Sequence, residues 1–451
     1  MCYFSLLRSS KILYLLCLWA IAICLPSLYA MEGQGDKWAT TWVGSVQGPY
    51  PIGNPSAQPE MSFAFPTPKD GAKDQSFRMI VKPDIWGTQT RIRLSNAFGT
   101  KPVTFDGIYV GLHNASSAVV AGTNHPIKFG GKDSITINPG DSLWSDPVKL
   151  RFAANPIATE LIGRSLAVSF HIVGESGPMT WHAKALTTSY VSAPNAGSHG
   201  HEESEASFPF ATASWFFLNA VDMSASTDTK VIVAFGDSIT DGTGTTMNGS
   251  DRWSNVLSRR IHALYGNKIS VINAGIGGNQ IAGPAEYSAE KPFPGGPSAK
   301  ERIERDVLSL SGVTTMIWLE GINDFSRNGN LEADFVKKTM KEVVERVRKE
   351  KPSIKIIGAT VLSALGSTSK QHGFEEQNTK RKALNEFIQT SKLFDGVIDF
   401  DKVTTDPTTG GMRLEFVPDN TTGTAGDKLH PNRYGYLNMG SIIDIEMLLK
   451  K

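Results

Sequence analysis

The 451-residue chain has only three cysteines, Cys2, Cys17 and Cys24, and none beyond residue 24. Disulfides, a thiolate nucleophile and cysteine metal ligands are therefore excluded from everything after the leader. An excess of charge is missing too, with 45 basic against 44 acidic residues, or 43 against 44 without the first thirty. So even a balance gives no footprint for nucleic acid or an anionic membrane surface. Long apolar runs are absent except for Ile12–Leu25, "ILYLLCLWAIAICL", which is short of the roughly 20 residues that span a bilayer. Arg8 and Lys11 precede it and Ala30 follows it, the layout of an export signal over residues 1–30 with cleavage after Ala30. Ile23 stands before Cys24 where a lipoprotein signal has a small residue, which argues against a lipid anchor. A secreted or periplasmic protein without membrane insertion is expected. Asn114, Asn248 and Asn420 begin sequons that matter only in a glycosylating host.

What is present is ordinary globular composition, 40% hydrophobic and 20% charged, in a chain long enough for two domains at roughly 100–200 residues each. Over 37–222 the pattern is one of short alternating runs, such as Arg91–Ser95, Ser134–Asn138 and Ser165–Val173. Turn-rich stretches such as "KFGGKDS" and "NPGDS" separate them. That rhythm predicts an all-β sandwich or jelly-roll-like domain. Over 229–451 it changes to strand, loop, helix. The strand candidates are Val231–Phe235, Ile269–Ala274, Thr315–Leu319, Ile354–Val361 and Gly396–Phe400. Between them, Trp253, Val256, Leu257, Ile261 and Leu264 share one helical face, as do Val336, Met340, Val343, Val344 and Val347. Such alternation predicts an α/β domain with a parallel sheet covered on both faces and ligands at the strands' carboxyl ends.

At the end of the first of those strands stands Ser238, in "VIVAFGDSITDG". Gly236 allows an unusual backbone angle there. The phosphate-loop, dinucleotide and G-x-S-x-G elbow patterns are all missing. By itself a Gly-Asp-Ser turn is as readily a cap or a turn. A serine nucleophile needs a base, and the base an orienting acid. "GDKLHPN" offers Asp427 and His430, three residues apart, where neutral histidine can accept the serine proton and return it to a leaving group. Taken in isolation they are equally a surface pair before a turn. Donors for a developing oxyanion come from two more strand ends. "VINAGIGGNQI" carries Gly275, Gly277 and Gly278, and "IWLEGINDF" carries Asn323, which with Asp324 could instead cap a following helix.

The four blocks "FGDSITDG", "NAGIGGN", "GIND" and "DKLH", in this order, resemble the SGNH (GDSL) hydrolases from about residue 230 to the C-terminus. The resemblance implies a three-layer, flavodoxin-like catalytic domain. Ser238 would be the nucleophile, His430 the general base and Asp427 its orienter. The Ser238 backbone N–H, Gly278 and Asn323 would form the oxyanion hole. Gly278 is preferred to Gly277 because it stands five residues after Asn273. No cofactor or metal is called for. "RWSNVLSRRI", "FDGVIDFD" and "GDKLHPNRYGY" are similar to the XynE-like branch of exported esterases, and "RIRLSNAFGTKPV" to the β-rich domain that precedes their catalytic domain. That branch implies acetyl or other short acyl esters on plant polysaccharides or their fragments. The alternatives are an acyltransferase with the same residues, and a carbohydrate-binding protein whose catalytic half is vestigial.

"HGHEE" (His199–Glu203) has the composition of a metal site but no partner cluster, and reads as a solvated loop. Trp38, Trp42, Trp86, Trp144, Trp181 and Trp215 could stack on sugar rings, although a sandwich more often uses them as core. Trp181 and His182, in "GPMTWHA", lie in the stretch of this half most expected at the rim of the active site, which reads equally as one edge strand.

Overall fold

The computed structural model describes residues 37–417 and 426–450, so the export segment and Asn420 lie outside the described residues. The alternating runs of the N-terminal half pair into two large antiparallel sheets and a two-stranded one, Trp181–His182 with Trp215–Phe216. A seven-stranded sheet is built around Lys73–Val81, Leu166–Glu175 and Val103–Leu112, side by side. In the five-stranded sheet, Leu218–Ala225 lies between Lys37–Val43 and Gln89–Ser95. Phe77, Met79, Phe105, Phe170 and Ile172 of the first sheet meet Ile92, Leu94, Leu218 and Met223 of the second in one core, as a period of two requires. The runs read as strands form Gln89–Ser95, Ile135–Ile137 and Leu166–Glu175. Lys73–Val81 and Leu218–Ala225 escape that reading because polar Gln75, Ser76, Arg78 and Asp222 are buried inside them.

In the C-terminal half five strands, Lys230–Gly236, Ile269–Gly275, Val313–Leu319, Lys355–Ala359 and Gly396–Ile398, form one parallel sheet. Numbered along the chain, their spatial order is 2-1-3-4-5, a doubly wound arrangement. The first four strands are buried on both faces, whereas the fifth, at the edge, buries only Ile398. Val231, Val233, Phe235, Met316 and Trp318 point into one cluster, while Ile232, Ala234, Ile317 and Leu319 point into the other. The helix Ala333–Glu350 packs all five of its expected valines and methionine on the first face. Trp253–Tyr265 packs on the second through Trp253, Leu257 and Ile261. Leu264, expected on that stripe, is 66% exposed in the helix's last turn. The fifth strand stops at Ile398, because Asp399 caps a short helix, Phe400–Thr404, at Lys402 N–H.

The five-stranded antiparallel sheet has two buried faces. Its second face sends Ala39, Val43 and Ala220 into the same cluster as Val231, Ile272 and Val307 of the α/β half, so the β-rich half covers part of the parallel sheet directly. Polar groups seal the seam. Fully buried Asp222 accepts from Thr40 Oγ1 at 2.7 Å, from Arg91 at 2.8 and 3.0 Å and from Ser311 Oγ at 2.7 Å. Asp84 accepts from Val271 N–H at 2.6 Å and Ser258 Oγ at 2.5 Å.

Candidate active site

The first and third strands stay paired to their carboxyl ends, but the chain leaving them diverges, since the helices that follow pack on opposite faces. Such a divergence leaves a crevice for ligand. Ser238 follows the first strand and Asn323 the third. Gly236 is needed for the turn into Ser238, although its φ is not in the left-handed region. A Cβ there would stand 2.1 Å from the Leu319 carbonyl oxygen, so the requirement is close approach. Asp237 caps the one-turn helix Ser238–Asp241 by accepting from Ile239 N–H at 2.9 Å. The serine thus occupies the first helical position, where a backbone N–H has no partner within the helix.

Ser238 Oγ is 2.7 Å from His430 Nε2, and His430 Nδ1 is 2.7 Å from Asp427 Oδ2. The Asp427–His430 turn builds itself. Asp427 Oδ1 accepts from the backbone N–H of Leu429 at 2.9 Å and of His430 at 2.8 Å, and Lys428 takes the left-handed φ of 59° that closes it. Burial would raise the Asp427 carboxyl. The neighbouring His430 imidazole and the two N–H donors outweigh burial and hold it well below the usual carboxylate range. A carboxylate that stays ionised keeps the histidine proton on Nδ1 and leaves Nε2 free to accept from the serine.

Gly278 and Asn323 line the same cleft of about 310 Å³ as Ser238, Asp427 and His430. Gly277 is committed elsewhere. Its N–H donates to Asp241 Oδ2 at 2.9 Å and its carbonyl accepts from Asn54 Nδ2 at 2.8 Å. Gly278 takes φ +85°, and a Cβ on it would come within 2.5 Å of Asn54 Nδ2. Asn323 Nδ2 donates to the Asn279 carbonyl at 2.9 Å, which ties the third-strand turn to the glycine loop.

Residues 234–437 match the GDSL-like lipase/acylhydrolase family. That stretch is similar to a GDSL-like acylhydrolase domain. The activity that goes with it is carboxylic ester hydrolysis. No curated protein matches the chain. Solved structures similar to it include a lipase/acylhydrolase from Enterococcus faecalis, 23% identical with TM-score 0.35, covering 47% of this chain and 92% of that one. Est24, a carbohydrate acetylesterase from Sinorhizobium meliloti, is 15% identical with TM-score 0.34 and coverages of 47% and 94%. The acetyl xylan esterase AlAXEase is 19% identical with TM-score 0.33 and coverages of 47% and 96%.

Several residues that shape the GDSL-like site have no mark in the sequence. Arg302 is fully buried beneath it, donating to the Gly236 and Ala274 carbonyls at 2.8 Å each and to Asn279 Oδ1 at 2.6 Å. It therefore joins the ends of the first two strands to the glycine loop. Asp324 does not cap a helix, as its position suggested. Its two oxygens accept from Ile281 and Ala282 N–H at 2.9 Å each, bracing the far end of that loop.

From the β-rich half, His182 Nε2 lies 3.0 Å from Asp241 Oδ1, the carboxylate that holds Gly277. Asn54 and Lys184 of the same half line the cleft itself. Lys184 is buried, which lowers its ammonium against the pull of Asp241, Asp237 and Asp427, and its Nζ bonds Thr243 Oγ1. Trp181 is not at the rim. It is 1% exposed, wedged against Tyr50 and Phe216, and its Nε1 donates to the Ile52 carbonyl under the loop that carries Asn54. Trp42, Trp86 and Trp215 are likewise buried. In the "HGHEE" loop, His199 Nδ1 is 2.8 Å from Glu202 Oε1, and buried Arg78 donates to the Ser204 carbonyl at 3.1 Å from below.

Asp324 yields a pH prediction. Burial raises its carboxyl from 3.8 to about 7, against the two N–H bonds that favour the charged form. The folded state then binds this proton more tightly than the unfolded chain. Its contribution is fully present below about pH 4 and is lost as pH rises to about 7. Asp324→Asn, neutral throughout, should gain stability relative to wild type over that window and run parallel to it above. Urea midpoints at intervals between pH 4 and 8 test this; parallel profiles throughout would refute it.

Proposed function

We propose that the mature protein hydrolyses short acyl esters of carbohydrates, acetyl esters foremost, through an acyl-enzyme on Ser238. His430 Nε2 takes the Ser238 proton as Oγ attacks the ester carbonyl. The tetrahedral oxyanion is held by the N–H groups of Ser238 and Gly278 and by Asn323 Nδ2. His430 then gives its proton to the alcohol oxygen, which leaves. Water attacks the acyl-serine with His430 as base again, and the carboxylic acid departs as Ser238 regains its proton. Asp427 keeps the imidazole in the working tautomer.

The observation that carries this reading is the unbroken chain of two 2.7 Å contacts from Ser238 through His430 to Asp427 at the wall of one cleft. The alcohol assignment rests on that wall, where Asn54, Gln280, Asn328, Ser369 and Gln371 offer hydrogen-bonding side chains and Phe293 an aromatic face. Such a lining suits hydroxyl-rich groups better than a long acyl chain. Export through residues 1–30, membership of the XynE-like branch, and a division into a β-rich domain at 37–222 and a catalytic domain at 229–451 belong to the same proposal.

Nitrophenyl esters of increasing acyl length and an acetylated xylan test it. Turnover should be greatest for acetate, fall about tenfold or more by octanoate as the chain outgrows the cleft, and extend to acetate release from xylan. A preference for long acyl chains, or transfer to added alcohols in place of water, would overturn the assignment.

A further inference from the structure

The segment after the fourth parallel strand is tied to the site at two points. The Gln371 carbonyl accepts from Arg327 N–H at 3.0 Å, just beyond Asn323. Thr368 N–H and Ser367 Oγ donate to the Asp427 carbonyl at 3.1 and 2.7 Å. Held between them, His372 lies on the cleft wall with Ser238, Asn323 and His430. The reaction steps above leave its ring without a role.

The hydrogen-bond pattern settles where its proton sits. Gln377 is buried, its Oε1 accepting from Gly373 N–H at 2.9 Å and its Nε2 donating to the Ile322 carbonyl at 3.1 Å. An N–H on one side and a carbonyl on the other allow the amide only one orientation. The same Nε2 is 2.6 Å from His372 Nδ1. Nδ1 must therefore accept, and the neutral ring carries its hydrogen on Nε2. Burial, assisted by the His430 imidazole and opposed by Asp427, pushes the ring down to about 4, so it is neutral near pH 7. Among the described residues, Nε2 has no hydrogen-bond partner.

We infer that His372 Nε2–H donates to an oxygen of the alcohol half of the substrate, a hydroxyl or ring oxygen next to the ester, and so selects esters of polyols and sugars. This rests on the serine mechanism proposed above. In that mechanism His430 must face the leaving oxygen to protonate it, whereas the acyl oxygen lies with Gly278 and Asn323. A donor beside His430 therefore faces the alcohol. His372 is a specificity residue here; it moves no proton.

The test compares two acetates, glycerol monoacetate with neighbouring hydroxyls and propyl acetate without them, in the full-length mature protein. The quantity read is the ratio of their kcat/KM values. His372→Phe keeps ring volume and removes the donor, and should lower that ratio about tenfold, the worth of one good hydrogen bond. His372→Gln, whose amide can donate from nearly the same point, should restore part of it. A ratio within about twofold of wild type in His372→Phe, whatever happens to the separate rates, would overturn the inference. If that variant fails to fold by circular dichroism, His372→Ala is read the same way. A wild-type protein that cleaves neither acetate would instead sink the serine reading beneath it.

Discussion

Replacing Ser238 by alanine should lower kcat for nitrophenyl acetate by about 10⁴-fold or more. Without Oγ there is no acyl-enzyme, and what remains is the help that oxyanion donors give to direct attack by water. His430→Ala should cost a similar factor, and the double variant little beyond either alone, because the pair acts as a unit. Asp427→Asn should fall in the same direction. The amide can donate to Nδ1 and favour the tautomer in which Nε2 already holds a proton. None of this should come from unfolding in Ser238→Ala, where one oxygen is removed and its side-chain partner is His430. Circular dichroism and a urea midpoint close to wild type would establish that. Retention of a tenth or more of kcat by the folded Ser238→Ala protein would mean the catalytic group is elsewhere.

The largest effect on stability is expected at Arg302. Arg302→Met preserves length and apolar volume but leaves polar groups behind in a site closed to solvent. The strand-end carbonyls of Gly236 and Ala274 lose a charged donor, as does Asn279 Oδ1. Glu320, 3.8 Å from the guanidinium and fully buried, retains Trp318 Nε1 as a donor at 2.7 Å. Asp306 fares better, because Arg305 also holds it at 2.8 and 2.9 Å. Breaking a buried pair from one side typically costs about 3–5 kcal/mol, a large part of a domain's stability. Arg302→Lys should recover little of it, since an ammonium cannot reach several acceptors with a planar fork. Activity should fall as well, because the loop that Arg302 anchors carries Gly278. Thermal or urea unfolding of both variants tests this. A loss below about 1 kcal/mol in Arg302→Met would mean the surrounding packing holds the strand ends without the arginine.

The residues proposed for chemistry were legible because their signals are local. A strand buried on both faces is a continuous apolar run, and whatever polar block follows it must sit at the sheet's carboxyl edge. The blocks around Ser238, Gly278 and Asn323 could be placed there without coordinates. Asp427 and His430 also stand close enough in sequence for one turn to join them. Strand count, parallel pairing and the helix Ala333–Glu350 follow from the same periodicities.

What holds these groups in position was not legible. Arg302 sits in "AKERIERDVL", whose charges look like a solvated helix face, and only the folding of the first two strand ends over it makes the guanidinium a buried clamp. Asp241 reads as one more turn residue until His182, 59 positions earlier, meets it across the seam between the halves. Gly277 and Gly278 are indistinguishable by type, and their separation depends on Asp241 and Asn54 occupying the first of them. Periodicity reports which face of an element is dry. It is silent about which distant polar group will share that dryness, and burial of one charge beside another is a property of the assembled fold.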